Sequence, residues 1–192
     1  SGRAAGRWAA VSRRARAVVA RPAMARFEKP VISVTFDNFP KSAVRQGAAI
    51  LEGVGGRGTF YAAAAFAGQT TQYGQMFDGG DVRRLLDAGH EIGCHTFSHV
   101  DPSTETPDAV LADMVRNADA LGAMGMEERL VSFAYPFGAA TGALKTQLPM
   151  RFTSARSAGT GIAHGRLDLA QLPSNPLYGD DALKRCLKLV EQ

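Results

Sequence analysis

Apolar residues along this chain follow two rhythms. Short runs rich in β-branched and aromatic residues read as strands: 31–36 (VISVTF), 58–66 (GTFYAAAAF), 90–95 (HEIGCH), 130–136 (LVSFAYP) and 151–156 (RFTSAR). Between them the spacing changes to that of an amphipathic helix. Residues 41–54 carry the helical stripe Val44, Ala48, Ile50, Leu51 and Val54 and run into Gly55-Gly56. Residues 78–88 carry Val82, Leu85 and Leu86 and stop at Gly89. Thr106-Pro107-Asp108 supplies a cap and a first-turn proline for a helix with the stripe Val110, Leu111, Met114, Val115, Ala118 and Leu121, ended by Gly122 or Gly125. Residues 140–147 form a short helix and 180–190 a closing one, while 159–178 read as loop and sheet edge. Strands alternating with helices in this way predict βαβ units around a parallel sheet, an α/β fold. In such folds the chemistry lies at the C-terminal ends of the strands.

Residues 1–29 stand apart from this alternation. They are rich in Ala and Arg, both strong helix formers, and predict a helix over 8–20 that stops before Pro22. The formal net charge of the chain is +4, but it is unevenly spread. Residues 1–29 hold eight basic side chains against the single acid Glu28, a net of +7; the remainder, with 14 basic and 17 acidic residues, carries −3. The chain therefore divides into a basic N-terminal segment, 1–29, and a mildly acidic body, 30–192. The segment is open to three readings: a helix packed on the body, a helix on a membrane surface, or an Arg-rich targeting peptide. It lacks the apolar region of a secretory signal, and no run of 18 apolar residues is present to cross a membrane. The two cysteines, Cys94 and Cys186, cannot form a disulfide framework. These features lead to the expectation of a cytoplasmic chain, with the basic segment open to peripheral contact with the inner membrane face. Nucleic acid is not an expected partner, since no DNA-binding motif occurs and only Trp8 interrupts the arginines as an aromatic.

Polar groups gather where the predicted strands end. The first ends in Asp37-Asn38, the third in Cys94-His95 with His99 four residues on, the fourth in Tyr135-Pro136-Phe137-Gly138, and the fifth at Arg156. Two imidazoles at His-x-x-x-His spacing can converge on one metal ion; on spacing alone, one core and one surface histidine fit equally well. Asp37 could cap a following turn, and Tyr135 could be core or line a pocket. Cys94 reads as buried structure and His90, at the strand start, as structural.

Taken together these segments resemble the polysaccharide deacetylase family, also called carbohydrate esterase family 4 or the NodB homology domain. Thr35-Phe36-Asp37-Asn38 is similar to the family's T-F-D-D motif. His95-Thr96-Phe97-Ser98-His99 is similar to H-[ST]-x-x-H and follows the family's typical G-H-E-I-G, present as Gly89–Gly93. Ala134-Tyr135-Pro136-Phe137-Gly138 is similar to R-x-P-Y-G. The resemblance runs from about residue 30 to 157, and the stretch FDNFPKSA is also similar to the bacterial exopolysaccharide branch, including holdfast-type enzymes. It implies a distorted (β/α) barrel of seven to eight strands and metal-assisted hydrolysis of N-acetyl groups from an N-acetylated polysaccharide or oligosaccharide. It further implies a divalent metal, zinc first, with cobalt or manganese as alternatives, held by His95, His99 and Asn38. Asp37 would be the general base and the Phe137 backbone N–H the oxyanion donor, with Tyr135, Pro136 and Arg156 as substrate contacts.

Three departures from the family pattern carry expectations of their own. Asn38 replaces the carboxylate ligand and brings no charge, which predicts weaker metal binding and slower turnover. Ala134 replaces the arginine that orients the catalytic aspartate, a role Arg156 could take from the next strand end. The late L-x-H motif with its general-acid histidine is absent, and His164, in a Gly-rich loop, has the wrong spacing; the barrel is therefore expected to lack its last strand. A deacetylase-like sugar-binding domain with impaired catalysis, or a hydrolase of another amide, is the alternative.

Overall fold

A computed structural model describes residues 2–191. Its strands are β1 (Pro22–Ala25), β2 (Val34–Asp37), β3 (Gly58–Ala62), β4 (Thr70–Thr71), β5 (Gly74–Gln75), β6 (Glu91–Cys94), β7 (Ser132–Ala134), β8 (Ser154–Arg156) and β9 (Gly165–Asp168). Its helices are α1 (Gly2–Ala15), α2, π-wound over Ala43–Ala48 and α-helical over Ala49–Gly53, α3 (Gly79–Asp87), α4 (Pro107–Ala123), the single-turn α5 (Gly142–Lys145) and α6 (Ala182–Val190). None is long and apolar enough to cross a membrane.

Five strands form one parallel sheet in the order β2-β3-β6-β7-β8, the order in which the sequence supplies them. With neighbouring strands about 4.8 Å apart, the edges of a flat five-stranded sheet would lie about 19 Å from each other. Yet Arg156, ending one edge strand, hydrogen-bonds Asp37, ending the other. The sheet is therefore strongly curled, an open half-barrel. The seven to eight strands expected of a full barrel are not all there among the described residues: beyond β8, only a single parallel bridge from Arg156 to Leu172 continues the ladder.

The strands are shorter than the apolar runs, for identifiable reasons. Val31 and Ile32 are 69% and 71% exposed, because the partner strand β3 begins only at Gly58, opposite Val34. At its far end β3 stops at Ala62, where the Asn117 side chain of α4 takes over the ladder: it accepts from the Ala64 N–H at 2.9 Å and donates to the Ala62 carbonyl at 3.0 Å. The chain then turns into the 3-10 helix Ala64–Phe66. Residues 159–178 contain β9, which pairs antiparallel with β1.

Between the sheet and helices α2 and α3 lies a run of stacked and edge-on rings, Phe36, Phe60, Phe39 and Phe77. Phe133, Tyr135 and Phe152 fill the other end of the same core. Burial of each such ring contributes about 1.5–3 kcal/mol. His90 clips the sheet's N-terminal end: its Nδ1 accepts the Gly58 N–H at 3.0 Å, which leaves Nε2–H to donate to Glu52 at 2.9 Å. The basic segment is packed on the body. Residues Gly2–Ala15 are helical, Ser12 and Ala15 are buried, and the buried Lys145 Nζ donates to the Ala15 carbonyl at 3.0 Å while pairing with Asp168 at 2.9 Å. The helix ends earlier than residue 20, because Asp168 captures the Ala20 and Arg21 N–H groups as the chain enters β1.

Candidate active site

Three loops meet at the C-terminal rim of the half-barrel: the turn after β2, the loop after β6 and the turn after β7. The non-glycine residues with positive φ among those described are Asn38 (43°), Thr96 (60°), His99 (55°) and Phe137 (57°), and all lie in these loops. Left-handed backbone costs an ordinary L-residue about 1–2 kcal/mol. Concentrated at one rim, it marks a place where the surrounding structure holds the chain against its preference. Asn tolerates this conformation well, so residue 38 keeps its turn without a carboxylate.

His95 follows β6 directly. Its backbone N–H donates to the Ala62 carbonyl at 3.0 Å, and its Nδ1 lies 2.7 Å from the Ala134 carbonyl. A carbonyl only accepts, so Nδ1 carries the proton and the Nε2 lone pair is free. Four residues on, His99 places its ring 4.7 Å from that of His95, edge to face. Burial pushes the pKa of both rings down, that of His99 to about 4, so both are neutral at physiological pH. The loop between them is shaped by Asp113 of α4, which accepts the Phe97 and Ser98 N–H groups at 2.8 Å each.

Asp37 and Arg156 form an ion pair in which the Arg156 Nη2 donates to Asp37 Oδ1. The guanidinium lies 4.7 Å above the Tyr61 ring. That ring has room because its neighbour on β6 is Gly93, where a Cβ would stand 2.4 Å from the ring atoms. Arg156 is directly opposite Ala134 in the β7–β8 ladder. Cross-strand partners project from the same face, so this arginine occupies the side of the sheet that an arginine at 134 would.

Two buried polar side-chain atoms among the described residues lack a hydrogen-bond partner, and both are here: Asn38 Oδ1 and Arg156 Nε. An unpaired buried acceptor costs about 1–3 kcal/mol. The rim thus collects an amide oxygen and a free imidazole nitrogen with no proton between them, beside the second neutral imidazole of His99, and such a donor set suits a cation. The fit depends on the amide. No group of three or more His, Cys, Asp or Glu side chains able to hold a metal forms among the described residues, and Asp37, the nearby carboxylate, is engaged by Arg156.

The remaining sequence-predicted residues fall differently. Phe137 reaches the rim: its ring stands edge-on to His99 at 4.5 Å, and no group among the described residues accepts its N–H. Gly138 follows it because a Cβ there would meet Ala158 at 2.3 Å. Tyr135 is not brought to the group. It is 1% exposed, packs on Phe133 and donates its hydroxyl to the Ala170 carbonyl at 2.9 Å. Pro136 is also buried, opening the turn that presents Phe137. His164 lies exposed before β9. Missed by the sequence reading were Trp8, which stacks on Phe137, Asp101 and Asp113, which hold the second loop, and Asn117, which ends β3. For Asn117 a signal exists: it lies three residues after Met114 and four before Leu121, a polar residue on a buried helix stripe.

The polysaccharide deacetylase family model matches residues 25–151, more than half of the chain. The protein belongs to the polysaccharide deacetylase family. Its fold is similar to that of IcaB from Ammonifex degensii, with a TM-score of 0.70 and 18% identity over 97% of this chain and 88% of that one. It is similarly close to the Streptococcus pyogenes deacetylase PplD in complex with acetate, with a TM-score of 0.70 and 16% identity over 94% and 75%. A probable peptidoglycan-N-acetylglucosamine deacetylase of Arthroderma benhamiae is 27% identical over 93 residues, which span 48% of this chain but only 20% of that protein.

Proposed function

We propose that this protein is a divalent-metal-dependent hydrolase that removes N-acetyl groups from N-acetylglucosamine-type units of an exopolysaccharide or its oligosaccharide precursor. The observation that carries this reading is the unpartnered Asn38 amide oxygen on one rim with two imidazoles kept neutral by burial. Asn38, His95 and His99 are the residues that would hold the ion, with zinc the first candidate and cobalt or manganese next. Such an ion, when bound, lowers the pKa of a water ligand and polarises an amide carbonyl.

The rest of the chemistry belongs to the chain. The Ala134 carbonyl fixes the His95 tautomer. Arg156 engages Asp37 Oδ1 and leaves Oδ2 to accept the proton of a water attacking the acetamide carbon. The Phe137 N–H serves the oxyanion that develops on the carbonyl oxygen. Both roles need groups fixed before the substrate arrives, and each is pinned by contacts from a different element. The similarity to a probable peptidoglycan-N-acetylglucosamine deacetylase of Arthroderma benhamiae supports the sugar class.

Asn38 also favours a second reading, a sugar-binding domain of deacetylase type with impaired catalysis, because an amide brings no charge to retain a dication. Acetate release from N-acetylglucosamine oligomers, with zinc, cobalt or manganese supplied in turn, separates the two. Metal-dependent release that a chelator abolishes and that His99→Ala lacks is expected. Oligomer binding without release at any metal concentration would assign the second reading.

A further inference from the structure

Helix α1 reaches the rim at two of its three loops. The Trp8 indole stacks on the Phe137 ring, centroids 4.4 Å apart and planes 20° from parallel. The same indole donates its N–H to Asp101 Oδ2 at 2.7 Å, two residues after His99, and Arg7 Nη2 donates to that oxygen at 2.7 Å. Phe137 thus stands between Trp8 on one side and His99 on the other. One helical turn further, the buried Ser12 hydroxyl donates to the Gly138 carbonyl and accepts the Ala140 N–H at 3.1 Å. Its own carbonyl is held by Gln171 Nε2 at 2.8 Å. Trp8, Ser12 and Ala15 recur at the spacing of one helix face, and that face lies on the β7 turn and its supports.

The turn needs such support. Left-handed φ at Phe137, a bulky residue, costs about 1–3 kcal/mol and persists only where the surroundings over-determine it. Pro136 fixes its own φ and not that of its successor. The contacts that bracket Phe137, the Trp8 stack on its ring and the Ser12 hydroxyl spanning Gly138 and Ala140, come from α1.

We propose that helix α1 is a positioning element of the active site: through Trp8 and Ser12 it holds the Phe137 turn, and with it the Phe137 N–H, in register with the His99 loop. This rests on the deacetylase reading above for its catalytic consequence, but not for its structural one. The arginines of α1 itself, Arg3, Arg7, Arg13 and Arg14, are exposed, and the segment's other four basic residues follow the helix.

The test compares the full-length chain with Trp8→Ala, Trp8→Phe and Ser12→Ala. Hydrogen exchange of the peptide covering 135–141 reads the turn without any turnover, and zinc titration reads the ion site. Because Trp8 is the chain's single tryptophan, its fluorescence also reports in Ser12→Ala whether α1 stays docked. Trp8→Ala and Ser12→Ala are expected to speed exchange at 135–141 by roughly tenfold or more and to lower kcat on N-acetylglucosamine oligomers by roughly tenfold or more, since misplacing an oxyanion donor has costs of that order. KM and zinc affinity should stay within about twofold, β3 and β6 should keep their protection, and Trp8→Phe, which retains a stacked ring, should lie between these variants and the wild type. Exchange at 135–141 unchanged in both Trp8→Ala and Ser12→Ala would overturn the proposal. So would equal loosening of β3 and β6 in all three variants, which would make α1 a general stability element. If the wild type itself releases no acetate, the deacetylase reading fails separately and the exchange data still decide the role of α1.

Discussion

Asn38, which departs from the family pattern, and Arg156, which stands in for the arginine missing at Ala134, each leave a buried atom unpaired. A neutral amide among neutral imidazoles gives a dication no compensating charge. Restoring it in Asn38→Asp should tighten zinc binding by roughly tenfold or more, since even outer partners of metal ligands are worth about 10–100-fold; calorimetry giving the same affinity for both chains would refute this. Arg156→Ala should release Asp37 and lower kcat by roughly tenfold, less than the ~10²–10⁴-fold a general base itself contributes, since the carboxylate remains. Because Ala134 and Arg156 are opposite one another in the ladder, adding Ala134→Arg to that variant should recover most of the loss, and steady-state kinetics of the double variant checks it. Asp37, His95 and His99 were legible in the sequence because they fall at strand ends with a metal-binding spacing. Tyr135 was misplaced because proximity to the motif outweighed parity: it lies two residues after Phe133, hence on the same buried face of the strand.

At the scale of elements, the five parallel strands and the helices between them were legible from hydrophobic period alone. What period could not show is how α4 serves the site. Its stripe was read through Val115 and Ala118, whereas Val115 is 45% exposed and Asn117 is fully buried. Asn117 ends β3 by taking its last backbone groups, and Asp113 holds the His95–His99 loop, so one helix sets the start of one rim segment and the shape of another. Asn117→Leu leaves the Ala64 N–H unpaired and takes one of two donors from the Ala62 carbonyl, which keeps the His95 N–H, and should destabilise the protein by about 1–3 kcal/mol. In a chain of this size that corresponds to a melting temperature lower by roughly 2–4 °C for each kcal/mol, read by calorimetric or dichroism melts. The β1–β9 pair escaped the sequence reading because its two short strands lack alternation and are joined only by distant register.

Across the whole molecule, the charge division between residues 1–29 and the rest is real in sequence and is not a spatial boundary. Helix α1 lies on the active rim, and β1 completes a sheet with β9. Sequence charge could not reveal this, because the contacts run through Trp8, Ser12 and Ala15 and not through most of the arginines. The two rim histidines also set a property of the entire fold. Burial holds both below the ordinary pKa of 6.5, His99 at about 4. In the unfolded chain the same rings take up protons as pH falls past about 6.5. The unfolded state then binds more protons than the folded one, so stability without metal is retained above pH 6.5 and declines toward pH 4. Melting curves across that window, in the presence of a chelator, should show the decline for the wild type and a flatter profile for His99→Gln.

In the proposed deacetylase centre, one neutral amide and two neutral imidazoles hold the metal ion. Anomalous diffraction at the zinc edge from zinc-loaded crystals addresses this most directly. One ion bonded to Asn38 Oδ1, His95 and His99, with Asp37 still paired to Arg156, is the predicted result. An ion bound instead by Asp37 with Asn38 turned away, or zinc found only elsewhere on the protein, would contradict it.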